Sequence, residues 1–209
     1  MNIVRLAVTT STQDIARTMA AGTVVVADQQ TAGRGRQNRR WEAPPGTALL
    51  ASFVLPARAL ATLAAGVAAA DACGPAVRLK WPNDLLLDGR KLAGILAERR
   101  GDSCVLGIGV NLSWAPAGAA WLEVPREELL ARLIAQLSRW FAAADPEILA
   151  AWRARSSTLG EIVRVELVDG VVEGVAGDID ADGALIVAGR RVVAGDVIHL
   201  ASKTPPSHA

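Results

Sequence analysis

The chain has 209 residues, 51% of them hydrophobic and 21% charged, with a formal net charge of +1. That is enough for one well-buried core with room for a small second module. A balance this close to neutral argues against a general nucleic-acid or membrane-surface binder, which needs an excess of Lys and Arg over a broad face.

In chain order, VTTSTQDIARTMAAG reads as a strand end running into a short helix. Ser11 and Asp14 have the spacing of a capping box, and Gly22 supplies a stop. TVVVADQQ and TALLASFVL are β-branched or apolar runs of strand length, separated by a basic loop. RALATLAAGVAAADACG, residues 58–74, is Ala- and Leu-rich, ends at Gly and predicts a buried helix. AVRLKWP, DLLLDGRKLAGILAERR and SCVLGIGVNLS predict strands, with Asp88-Gly89 as a two-residue hairpin turn. REELLARLIAQLSRWFAAA places Leu129, Leu130, Leu133, Ile134, Leu137, Trp140 and Phe141 on one helical face, and PEILAAWRARS predicts a further helix.

After Ser157 the texture changes to short alternating strands broken by Asp-Gly and Gly turns, the pattern of a small β-barrel. The expected organisation is an α+β main domain over 1–157, a barrel over 158–202 and a disordered tail over 203–209. Residues 1–10 lack a signal-peptide core with a cleavage site. The longest apolar run, Ala59–Ala70, falls short of the ~20 residues of a membrane span. Cys73 and Cys104 sit among apolar neighbours outside any motif and read as buried free thiols. A soluble, cytoplasmic protein is expected.

Three clusters carry chemistry. The loop TAGRGRQNRRW, Thr31–Trp41, alternates Gly33 and Gly35 with Arg34 and Arg36 and then adds Arg39 and Arg40. Glycines leave backbone N–H groups free to approach an anion, and guanidinium forks bind phosphate or carboxylate bidentately. With no apolar anchor in view, like-charge repulsion is expected to keep this loop mobile until an anion arrives. A solvated basic turn would share the pattern, and the Gly-Lys-Ser/Thr of a Walker loop is absent.

The second cluster is KWPNDLLLDGRKLAGI. The chain uses 19 arginines but only three lysines, Lys80, Lys91 and the tail residue Lys203, so two of the three fall in this segment. A chain that otherwise prefers Arg and takes Lys here points to a site that wants a compact ammonium charge. Asn83 and Asp84 add an amide and a carboxylate suited to nucleotide or Mg²⁺, although a Pro-Asn-Asp turn alone explains those residue types. The third cluster, Thr10–Asp14, offers hydroxyls and amides at a helix start, where a plain helix cap is the competing reading. Asn111 closes the strand GIGVNL as a turn residue or a ligand contact, which the local sequence leaves open.

Taken in order, Ser11-Thr12, Gln30 ahead of AGRGR, KWPND, KLAGIL, GIGVNL and a terminal barrel resemble the biotin protein ligases over essentially the whole chain. The resemblance implies an α+β catalytic domain related to class II aminoacyl-tRNA synthetases, with an SH3-like C-terminal domain. It implies that biotin and ATP form biotinyl-5′-AMP and pyrophosphate, with Mg²⁺, and that the adenylate then acylates a lysine of a biotin carboxyl carrier protein domain.

By the same resemblance, Ser11, Thr12 and Gln13 contact the biotin head group. Gln30, Gly33, Arg34, Gly35 and Arg36 complete the pocket, and Gly94 allows close backbone approach. Arg34 would hold the biotin carboxylate and the α-phosphate, with Lys91 beside it as the principal catalytic residue. Arg36 and Arg39 would meet ATP phosphates, and Trp41 would pack near the adenine. Lys80, Asn83, Asp84, Lys91 and Asn111 would serve the nucleotide, with Asp84 the carboxylate for Mg²⁺.

The chain departs from the family pattern at Gln13, where Asn is usual, and at Asn38, where a third glycine is usual. Asn tolerates positive φ better than most residues. The chain opens directly into its first strand, which implies a monofunctional ligase without a DNA-binding domain, with neither DNA nor membrane as partner and a homodimer left open. The competing readings are a lipoate ligase of the same fold and a non-enzymatic RNA- or peptide-binding module. Near-zero charge, no Tyr and only two Phe weigh against the latter.

Overall fold

The computed structural model describes residues 1–168 and 170–200, so the tail expected over 203–209, with Lys203, lies outside the described residues. Seven strands form the main sheet: β1 (Asn2–Thr9), β2 (Thr23–Gln30), β3 (Ala48–Pro56), β4 (Arg78–Lys80), β5 (Asp84–Leu87), β6 (Arg90–Arg100) and β7 (Ser103–Asn111). Their order is β1-β2-β3-β7-β6-β5-β4. Only β1 and β2 run parallel; every other pair is antiparallel. The β5–β6 hairpin turns through Asp88 and Gly89, both at positive φ, as the Asp-Gly signal predicts.

Alternation along the strands divides the sheet into two faces. Val24, Val26, Leu49, Ala51, Phe53, Leu106 and Ile108 meet three helices: α2 (Ala61–Cys73), α3 (Arg126–Ala142) and α4 (Asp145–Arg155). Helix α2 lies between the sheet and the other two helices. It is buried around nearly its whole circumference, and small residues let it fit there. It begins at Ala61, three residues later than the composition suggests, because Leu60 is already non-helical. In α3 the predicted apolar face packs inward, with Ile134 and Phe141 at its margin.

The opposite face carries the five-residue helix α1 (Thr12–Ala16), whose Ala16 packs on Val25, Val54 and Val105. Ser11 caps α1, accepting a hydrogen bond from the Gln13 backbone N–H at 3.3 Å. The expected capping box is incomplete: Asp14 does not return to Ser11 and instead takes a distant arginine, described below. Beyond α1 this face is paved with small residues, Ser52, Gly94, Gly107 and Gly109, which leave a hollow on an otherwise well-packed sheet.

The C-terminal strands are β8 (Ile162–Leu167), β9 (Gly170–Ile179), β10 (Leu185–Val187), β11 (Arg190–Val192) and β12 (Asp196–His199). They form a five-stranded antiparallel sheet in the order β11-β10-β9-β8-β12. Its apolar face joins the main core. Trp81 bridges the two: its indole N–H donates to the Gly183 carbonyl at 3.0 Å, and its backbone N–H donates to Thr158 Oγ1 at 3.0 Å. Among the described residues, no helix is long and apolar enough to cross a membrane.

At this junction lies His199. Burial, with Lys80 nearby, holds its imidazole below the ordinary value of 6.5, while Glu161 works weakly against that shift. The unfolded chain therefore binds this proton more readily than the folded one. The associated stability is present above about pH 6.5 and is lost as pH falls through the lowered folded value. Urea midpoints are expected to drop as pH falls below about 6.5, and His199→Gln is expected to flatten that slope.

Candidate functional site

The hollow on the α1 face is closed into a cleft from three sides. Ser11, Thr12, Gln13 and Gln30 form one end, and Leu50, Ser52, Gly107 and Gly109 form the floor. The basic loop, Lys80 to Asp84, Lys91 and Asp196 form the other end. Of the residues singled out in the sequence, Ser11, Thr12, Gln13, Gln30, Arg34, Gly35, Arg36, Arg39, Trp41, Lys80, Asn83, Asp84, Lys91 and Gly94 all line it. Segments separated by dozens of residues thus meet in one place. Gly33 and Asn111 do not line the cleft.

At the first end, hydroxyl and amide groups form a continuous chain. Gln30 Oε1 accepts from the Thr12 backbone N–H at 2.7 Å and faces Thr12 Oγ1 at 3.0 Å. Thr12 Oγ1 lies 2.8 Å from Ser52 Oγ, which reaches Gln13 Oε1 at 3.1 Å. Gln13 Nε2 donates to the Val105 carbonyl and to Glu98 Oε2, each at 3.0 Å. Gln13 is therefore saturated within the protein, buried, and pressed against Gly107, where an added Cβ would lie 2.6 Å from its Oε1. The amides of Thr12 and Gln13, expected to be free at the helix start, are both taken by side chains. The arrangement suits a neutral, polar ring that both donates and accepts.

The loop closes as a small hairpin through an Arg34–Arg40 bridge, with the Gly35 N–H donating to the Arg39 carbonyl at 2.8 Å and the Trp41 N–H to the Gly33 carbonyl at 3.1 Å. Gly33 is required there because a Cβ would stand 2.3 Å from the Trp41 carbonyl oxygen. Gln37 and Asn38 adopt positive φ at the tip. Two holds were not expected from the sequence. Trp41 lays its indole on Gly94 and Gly109, register partners on β6 and β7, and a Cβ on Gly109 would meet the ring at 2.6 Å. The arginines also find acceptors: Arg34 on Asp14 at 3.0 Å and Glu98 at 2.9 Å, Arg36 on Asn83 Oδ1 at 3.1 Å, and Arg39 on Asp196.

Lys91 Nζ lies 2.7 Å from Asp84 Oδ1 and 5.9 Å from the Trp41 ring centroid. Lys80 and Arg36 are half-buried, and burial lowers the affinity of each for its proton, with Asp84 partly offsetting this. Among the described residues neither forms an ion pair with a carboxylate, so this end of the cleft holds positive charge awaiting an anion. Trp41 Nε1 is a buried donor with no partner. Asn111, expected at the nucleotide, instead donates to the Ala120 carbonyl at 2.9 Å and anchors the segment after β7, leaving its Oδ1 unpaired.

The sequence matches the family model described as Biotin/lipoate A/B protein ligase over residues 5–113, and Biotin protein ligase C terminal domain over 158–200. It is 42% identical to the biotin–[acetyl-CoA-carboxylase] ligase of Mycobacterium tuberculosis, a match spanning 86% of this chain and 79% of that one. The chain belongs to the biotin protein ligase family. A second ligase of that name, from Paracoccus denitrificans, is 37% identical over 81% of this chain and 86% of its own. The fold is also that of the Aquifex aeolicus biotin protein ligase solved with biotin and ATP, at a TM-score of 0.83 and 24% identity, covering 94% of this chain and 97% of that one.

Against this family frame, sequence reasoning missed Ser52, Glu98, Gly109 and Asp196. Ser52 was visible only as the one polar residue in an otherwise apolar strand, ALLASFVLP. Glu98 read as a charged strand end, and Asp196 belongs to a strand of the other sheet.

Proposed function

We propose that this biotin protein ligase activates biotin with ATP and transfers it to a lysine of a carrier domain in a biotin-dependent carboxylase. One observation carries the reading: a neutral hydrogen-bonding end and a cationic end share one cleft. The first suits the ureido ring of biotin; the second suits its carboxylate and the triphosphate. In the first step a carboxylate oxygen attacks the α-phosphorus, an acyl–phosphate bond forms, and pyrophosphate leaves with the bonding pair. In the second, the uncharged ε-amino group of the acceptor attacks the acyl carbon, AMP leaves, and the amine loses its proton.

Two anions must meet in the first step, and Lys91 screens their repulsion and stabilises the charge that accumulates as they join. Its ion pair with Asp84 holds the ammonium in place. Arg34 was expected to share this work, but two carboxylates already neutralise it. The neighbours of Arg36 favour Arg36 as the guanidinium that meets the reacting groups. Lys80 and Arg39 face the remaining phosphates, and Trp41 offers its indole to the adenine. Among the described residues, no group of three His, Cys, Asp or Glu could hold a metal. Mg²⁺ would enter with ATP as part of the substrate, with Asp84 the cleft carboxylate proposed to hold it.

The reading is tested by pyrophosphate exchange with ATP and either biotin or lipoate. Biotin-dependent exchange is expected, and exchange driven by lipoate alone would overturn it. Gly109→Ala, which pushes a methyl into the indole of Trp41, should raise KM for ATP about tenfold and affect KM for biotin far less.

A further inference from the structure

One carboxylate that the mechanism does not use collects donors from two separate segments, α1 with its C-cap and the basic loop. Glu98 lies on β6, the strand that also carries Lys91. Its Oε1 accepts from Arg34 Nη2 at 2.9 Å and from Arg17 Nη2 at 2.7 Å. Its Oε2 accepts from Gln13 Nε2 at 3.0 Å and from Arg17 Nε at 3.1 Å. Burial would raise its proton affinity, but the amide of Gln13 and the guanidiniums of Arg34 and Arg17 hold it below the ordinary carboxylate value. The group is therefore a fixed anion throughout the working range.

We infer that Glu98 is a positioning residue that ties the head-group end of the cleft to the loop covering the reacting end, so that Gln13 and Arg34 are held by a single carboxylate. The inference rests on the functional reading above. Gln13 is saturated by Glu98, Val105 and Ser52 and so serves as a strut between pocket and carboxylate. Its two methylenes give the side chain reach to that carboxylate. Arg34, paired with Glu98 and Asp14, acts as the anchor of the loop at its N-terminal side. Pulling Glu98 away should loosen the cover over the adenylate without touching any reacting atom.

The experiment is a double-mutant cycle on the full chain, reading the rate at which preformed, radiolabelled biotinyl-AMP escapes. Glu98→Gln keeps size but removes the charge. It should speed escape about tenfold, the scale of one lost charge-assisted hydrogen bond. Arg34→Gln should do the same, and the double variant should be no faster than either single one. Arg17→Gln, which removes the third donor without entering the cleft, should leave escape within about twofold, and Glu98→Asp should recover part of the effect. Multiplicative effects in the double variant, or an Arg17→Gln effect equal to that of Glu98→Gln, would overturn the coupling and leave Glu98 a structural ion-pair hub. Urea midpoints of each variant separate loss of fold from loss of cover. Failure of the wild type to exchange pyrophosphate with biotin would instead refute the functional reading itself.

Discussion

Lys91→Met should slow formation of biotinyl-AMP by about two to three orders of magnitude while changing biotin affinity only a few-fold. Methionine approximates the length and shape of the lysine side chain, so the indole of Trp41 keeps an apolar neighbour and Gly94 keeps its contact with the strand. Only the ammonium is lost. In the proposed complex the biotin carboxylate lies at this end of the cleft, which Arg36 and Lys80 also line, so binding alone is expected to be buffered. The transition state adds the charge of the α-phosphoryl group within bonding distance, where Lys91 is the amine that Asp84 holds in an ion pair. Rapid-quench measurement of labelled adenylate checks this. A fall in kcat/KM produced entirely by KM for biotin would show that Lys91 only binds.

Trp81→Ala should destabilise the protein by about 3–5 kcal/mol, the cost of emptying a large buried aromatic site. Trp81 is 2% exposed and lies in the continuous core. Its indole N–H donates to Gly183 in the small sheet, so alanine leaves a cavity and an unsatisfied buried carbonyl together. Trp81→Phe retains most of the apolar surface and loses the hydrogen bond, so a smaller loss of about 1–2 kcal/mol is expected. Urea unfolding followed by circular dichroism measures both. Equal losses would show that the hydrogen bond to Gly183, and not the filled volume, holds the two sheets together.

Local rules made much of this fold legible. The Asp88-Gly89 turn, the apolar stripe of α3 and the alternating C-terminal strands depend on neighbours in sequence, and the structure places them where period and turn chemistry do. The scarcity of lysine also led directly to Lys80 and Lys91, both of which reach the cleft. The acceptors were illegible. Glu98 lies 64 residues from Arg34 and 85 from Gln13, and Asp196 lies 157 from Arg39. Counted alone, the basic loop repels itself. Folded, two of its arginines, Arg34 and Arg39, meet carboxylates that other segments supply, and its apparent lack of an apolar anchor ends at Trp41, which sits on two glycines of the central sheet. Asn111 has a bond the sequence does not show: its amide donates to the Ala120 carbonyl and secures the next segment.

The proposed chemistry requires guanidinium and ammonium groups from the loop and from β6 to meet at the acyl–phosphate junction. The most direct test is a crystal structure of the protein with biotin and a nonhydrolysable ATP analogue. Lys91 Nζ and the Arg36 guanidinium are expected within hydrogen-bonding distance of the biotin carboxylate and the α-phosphate, with the ureido ring against Thr12 and Gln30. An α-phosphate bound away from both cations, with Arg36 still on Asn83, would contradict it.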